Sequence, residues 1–144
     1  MWNWLAKDFF EDAAAMRYLC LIYLDEERLG SMAGAEVNAL NARHLEFNKG
    51  LLSDGRFVEA EALEPVRTTA LVRVRNGRAS VTDGPYAETK EQVAGFYFIE
   101  ARDFNEAIEV AARIPAASLG AVEVRPCRDL VVDGVARKAS RKAR

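Results

Sequence analysis

Arg17–Leu24 reads R-Y-L-C-L-I-Y-L, apolar almost throughout and closed by Asp25-Glu26-Glu27. The run is far shorter than the ~20 residues a membrane span needs, and it fits a buried central strand. Alternate side chains of a strand face opposite ways. Leu19 and Leu21, and Phe98 further along, therefore cannot all point at one layer of helices. Two faces of this strand need a cover.

Ala33–Ser53 follows with Val37, Leu40, His44, Phe47 and Leu51 at spacings of three and four, one face of a helix. Ser31 is the expected N-cap and Asp54-Gly55 the stop. Phe57–Leu63 alternates weakly and Glu64-Pro65 closes it. Thr68–Arg75 and Arg78–Thr82 flank Asn76-Gly77, the strongest short hairpin signal, because a type I′ turn needs positive φ at both central residues. Asp83-Gly84-Pro85 breaks the second of these strands, and Ala87–Gln92 reads as a loop or a single helical turn. Gly95–Ala101 is an aromatic-rich strand. Asp103–Ile114 is a helix opened by an Asp103/Glu106 capping pair, with Phe104, Ala107, Ile108 and Ala111 as its apolar face. Ala121–Arg125 is the last strand.

The order is β-α-β-β-β-β-α-β. It predicts an α+β, ferredoxin-like sandwich: one antiparallel sheet with two helices on one face. A second copy stacking sheet on sheet would cover the other face.

The chain has 144 residues, of which 50% are hydrophobic and 29% charged, with 9 Gly and 4 Pro. That is one ordinary domain, and it excludes a disordered chain, a collagen-like repeat and a disulfide scaffold. Lys and Arg number 20 against 22 acids, and Arg137–Arg144 holds five of those bases with no acid. The acidic body argues against a nucleic-acid-binding fold, and the basic tail reads either as a solvated, frayed terminus or as a contact for nucleic acid or anionic lipid. Residues 1–15 contain Asp8, Glu11 and Asp12 and lack a basic start, so they do not read as a signal peptide. They read as an extension, disordered or a short helix, with Met16 an alternative start. The segments expected are thus 1–15 as extension, 16–130 as domain and 131–144 as basic tail. Cys20 and Cys127 both fall in strand-like stretches, where buried reduced thiols and a cytoplasmic location are expected. With a single histidine the chain is short of zinc ligands.

Three groups could carry chemistry. His44 sits within the apolar helix stripe; it is either a hydrogen-bonded core residue or a base whose pKa a neighbour sets. In T-D-G-P-Y-A-E-T-K-E, Thr82–Glu91, an acid leaves a strand into a turn, where Asp83 either bonds the turn backbone or faces a ligand. Tyr97, Glu100, Arg73, Arg75 and Arg125 alternate with apolar neighbours and could line one sheet face, or be surface charge. The signatures of serine hydrolases, P-loop and dinucleotide folds and zinc proteases are missing.

M-R-Y-L-C-L-I-Y at Met16, T-T-A-L-V-R-V-R-N-G at Thr68, V-T-D-G-P-Y-A-E-T-K-E at Val81, G-F-Y-F-I-E at Gly95 and V-E-V-R-P at Val122 occur in that order. Together they resemble the YCII-related proteins of the DGPF type, a bacterial group, with Tyr86 where that motif usually has Phe. The resemblance implies a dimeric α+β barrel paired through its sheet. It also implies a histidine–aspartate pair, placed here on His44 and Asp83, and an association with extracytoplasmic-function sigma factors. Related barrels hold small aromatic or polyketide ligands in the cleft. Two readings stay open. One is a cofactor-free enzyme of proton transfer, isomerase or lyase type, with His44 and Asp83 catalytic and Tyr97, Arg73 and Tyr86 holding a small-molecule substrate, without metal. The other is a ligand-binding or regulatory module acting with a sigma factor. Neither involves a membrane.

Overall fold

The computed structural model describes residues 16–139. The extension 1–15 and the end of the basic tail lie outside the described residues. In chain order the elements are β1 (Met16–Leu24), α1 (Glu26–Gly30), α2 (Gly34–Ser53), β2 (Phe57–Ala62), β3 (Ala70–Arg75), β4 (Arg78–Asp83), β5 (Gln92–Ala101), α3 (Phe104–Ala112), β6 (Ala121–Pro126), β7 (Leu130–Val132) and β8 (Val135–Arg137). Four strands make the main sheet in the order β2-β5-β1-β6, every neighbour antiparallel. This is the ferredoxin-like α+β arrangement, with β1 in the interior as its apolar run demands.

The alternation in β1 is resolved by layers. Tyr18, Cys20, Ile22 and Leu24 are buried and meet Tyr97, Ile99 and Ala101 of β5. Leu51 of α2 and Ala107, Val110 and Ala111 of α3 close over them, so both helices share one sheet face. The opposite face carries Leu19 beside Phe98 and Leu21 beside Phe96, all half-buried, with Glu59 and Glu61 next along the sheet. None of the described helices covers it.

Several sequence expectations shift. Ser31 does not cap α2: its hydroxyl donates to the Arg28 carbonyl and closes the unforeseen α1. The start of α2 is held instead by the Ala33 N–H donating to Glu36 Oε1 at 3.0 Å. On α3 the buried face is Glu106, Ala107, Val110 and Ala111, while Phe104 and Ile108 are each 44% exposed, so the apolar stripe is rotated from the one expected. Its 3.6 period admits both stripes, and Glu106 turns inward because it bonds two arginines and a backbone N–H.

The Asn76-Gly77 hairpin forms as expected, with φ of 53° and 75°. It stands apart from the main sheet as its own two strands, and every one of its strand residues except Leu71 is exposed. A second hairpin, β7–β8, turns at Asp133-Gly134 with φ of 51° and 76°. It occupies the first half of the stretch expected as tail, whose valines pair across it (Val132 with Val135). Cys20 is buried as expected, but Cys127 lies just past β6 and is exposed; both are free thiols. No helix among the described residues is long and apolar enough to cross a membrane.

Candidate active site on helix α2 and strand β5

Helix α2 lies on the buried face of the sheet because Leu40 and Leu51 are buried and Val37 and Phe47 half-buried along one side. That packing sets His44 and Asn48, one helical turn apart on the same face, above Tyr97. Tyr97 points from β5 into the core and is 3% exposed. Its hydroxyl lies 2.8 Å from His44 Nδ1 and donates to Asn48 Oδ1 at 2.6 Å. The Phe47 ring meets Tyr97 edge-on at 5.6 Å, and the His44 ring is stacked near it at 6.0 Å.

Burial disfavours charge on both partners. It pulls the His44 imidazole below its ordinary 6.5, helped by the Arg43 charge, and pushes the Tyr97 hydroxyl up to about 12. Near neutral pH the imidazole is uncharged and able to take a proton, and the phenol stays a donor. His44 is half-buried, not sealed in the core. A fixed, neutral, reachable imidazole is the equipment of a general base.

Asp83 ends β4, paired with Ala70 and exposed. It makes no hydrogen bond or ion pair with His44 among the described residues; the partner of His44 is Tyr97. Its neighbour Gly84 donates its N–H to the Thr69 carbonyl at 3.0 Å. A Cβ on Gly84 would run into the Thr69 hydroxyl and Cβ, which is why a glycine stands there. Tyr86 is 80% exposed and the Arg73 guanidinium lies 5.9 Å from its ring centre. The residues singled out thus fall into two groups, His44 with Tyr97 under α2, and Asp83, Arg73 and Tyr86 at the β3–β4 hairpin. No hydrogen bond or ion pair joins the two among the described residues.

The face proposed for Tyr97, Glu100, Arg73, Arg75 and Arg125 does not exist as one surface. Tyr97 faces the helices, Glu100 is on the open sheet face bonded to Arg17 at 3.5 Å, and the two hairpin arginines belong to another sheet. Asn48 was the residue sequence reasoning missed. Its spacing of four from His44 was the available signal. A separate cleft of about 510 Å³ lies among Asp25, Arg28, Lys90, Glu91 and Leu119 at the end of β1. None of the expected site residues lines it.

A model of the YCII-related domain matches residues 16–131, from the first residue of β1 into β7. The chain belongs to the YCII-related family. An uncharacterised protein of Rhizobium meliloti (strain 1021) is 33% identical over 113 residues, covering 77% of this chain and 91% of that protein. The YCII-related match spans all of the main sheet and both groups of site residues, so the ferredoxin-like frame and the His44–Tyr97 contact lie inside the family domain. Being described as uncharacterised, that relative assigns no reaction, and the chemistry has to be argued from the site itself.

Proposed function

We propose that this YCII-related protein is a cofactor-free small-molecule enzyme in which His44 moves a proton, in the manner of an isomerase or lyase. The observation that carries the reading is the neutral, half-exposed imidazole held by Tyr97. In an isomerisation the ring takes a proton from one substrate atom and returns it to another, so the balance needs no cofactor. Asp83 is proposed as the second acid–base group, with Arg73 and Tyr86 beside it to hold an anionic or aromatic substrate. The protein is proposed to be a cytoplasmic homodimer of the DGPF type, paired through the open sheet face. The half-buried Leu19, Leu21, Phe96 and Phe98 support that pairing. The test is turnover of a panel of small anionic and aromatic carbon acids by the full chain and by His44→Gln. Activity lost in the variant, with its melting curve unchanged, supports the reading; equal activity in both defeats it.

A second reading, a regulatory module docking on an extracytoplasmic-function sigma factor, is favoured by the β7–β8 hairpin. Its Val131 and Val132 are 64% and 60% exposed, an apolar ribbon without a cover among the described residues. Co-purification with a cognate sigma factor that Val131→Asp abolishes would favour it over catalysis.

A further inference from the structure

His44 and Asn48 converge on the buried Tyr97 hydroxyl, and proton counting decides how. Tyr97 has a single O–H. Its oxygen lies 2.6 Å from Asn48 Oδ1. That length fits O–H···O, whose range is about 2.5–3.0 Å, and falls short of the roughly 2.7–3.2 Å of N–H···O. The Asn48 amide therefore presents its oxygen, not its NH₂ group, and Tyr97 spends its proton there. What remains on the Tyr97 oxygen is lone pairs, and Nδ1 of His44 lies 2.8 Å away, within the N–H···O range. A lone pair on Nδ1 would face another lone pair.

We propose that Asn48, acting through Tyr97, holds His44 as its Nδ1–H tautomer, so that the free lone pair of the ring sits on Nε2. Asn48 and His44 reach the same hydroxyl from consecutive turns of α2, and Phe47 closes the side of the Tyr97 ring. None of the three members carries charge near neutral pH: an amide does not ionise, and burial keeps the phenol and imidazole neutral. The relay therefore fixes which nitrogen is the acceptor without making it more basic, unlike a carboxylate in the same place. The tautomer stands on the geometry alone. Its functional consequence rests on the enzyme reading above: Nε2 is the atom that takes the substrate proton, and Asn48 and Tyr97 are positioning residues.

His44 is the single histidine of the chain, so its ring nitrogens are observed without assignment ambiguity. Long-range ¹H–¹⁵N correlation spectra of the uniformly labelled full chain, at about pH 8 where an ordinary imidazole is neutral, read the tautomer directly. A pyrrole-like Nδ1 and a pyridine-like Nε2 are expected; the reverse pattern overturns the proposal. Asn48→Leu should move the population to the Nε2–H form that free imidazole side chains favour. Asn48→Asp, which keeps the acceptor oxygen, should retain Nδ1–H. An unchanged tautomer in Asn48→Leu, or its loss in Asn48→Asp, removes Asn48 from the relay. Tyr97→Phe serves as the second break if Asn48→Leu does not fold, and a persisting Nδ1–H there overturns the proposal equally. If the wild-type tautomer is Nδ1–H and no compound in the panel turns over, the relay stands and the enzyme reading falls.

Discussion

Glu106 of α3 and Arg56, just ahead of β2, meet at 2.9 Å across 50 residues of chain. The Glu106 carboxylate also accepts from the Arg102 backbone N–H at 2.8 Å and from the Arg102 guanidinium at 3.1 Å. One carboxylate, 8% exposed, thus joins the end of β5, the first turn of α3 and the start of β2. Exposed ion pairs contribute little, but this acid is buried and its donors include a backbone N–H. Glu106→Ala should cost about 2 kcal/mol, since the two arginines left behind can reach water and the backbone donor cannot do so as readily. Urea unfolding measures it. A loss within about 0.5 kcal/mol, the size of a surface substitution, would show the junction to be unimportant.

His44 makes stability depend on pH in a definite direction. Burial and Arg43 hold its imidazole below the ordinary 6.5, so the unfolded chain binds the proton more readily than the folded one. Its contribution is complete above about pH 6.5 and is lost as pH falls through the lower folded value. The urea midpoint should therefore drop more between about pH 7.5 and pH 5 in the wild type than in His44→Gln, which has nothing to titrate there. Equal drops would mean the imidazole is not held neutral by the fold.

The D-G-P loop offers a third test. Gly84→Ala places a methyl group against Thr69, so strand β4 must part from the residue before β3. Overpacking of this kind costs about 1–3 kcal/mol. Thr69→Ser keeps both colliding groups, the hydroxyl and the Cβ, whereas Thr69→Gly removes the two together. The Gly84→Ala loss should therefore be smaller in a Thr69→Gly background than in the wild-type background, read by thermal melts of all four proteins in the cycle. Strict additivity would show that the two side chains do not collide.

Pairing through the open sheet face predicts that Leu21→Arg yields a monomer by light scattering while its melting curve stays cooperative. Leu21 points away from the core, opposite Phe96 and Glu123, so the added charge meets the interface and not the interior. A wild-type chain that runs as a monomer at every concentration would end the dimer reading.

What was legible in the sequence was whatever one element decides alone. The apolar run of β1, the His44 stripe of α2 and the Asn76-Gly77 turn each carry their own physical requirement, and each formed. The stripe of α3 was misplaced because Glu106 is buried by partners on two other elements, which no local period reports. The β7–β8 hairpin carries Asp133-Gly134 between valines, the same signal as Asn76-Gly77, but it borders a run of bases whose composition reads as tail. At the site, His44 and Tyr97 were each visible, but their contact joins residues 53 apart in sequence, and Asn48 enters only once that contact is known.

The clasp between Thr69 and Gly84 uses a backbone N–H, a carbonyl and the bareness of a glycine, and it makes no use of the Asp83 carboxylate. Architecture and acidity are therefore separable in that loop. Asp83→Asn would leave the fastening intact while deleting the charge, so a chain bearing the same short motif inherits the shape of the hairpin base without inheriting any reaction. Any acid–base part for Asp83 is thus an addition to the fastening, which evolution can discard without loosening the hairpin.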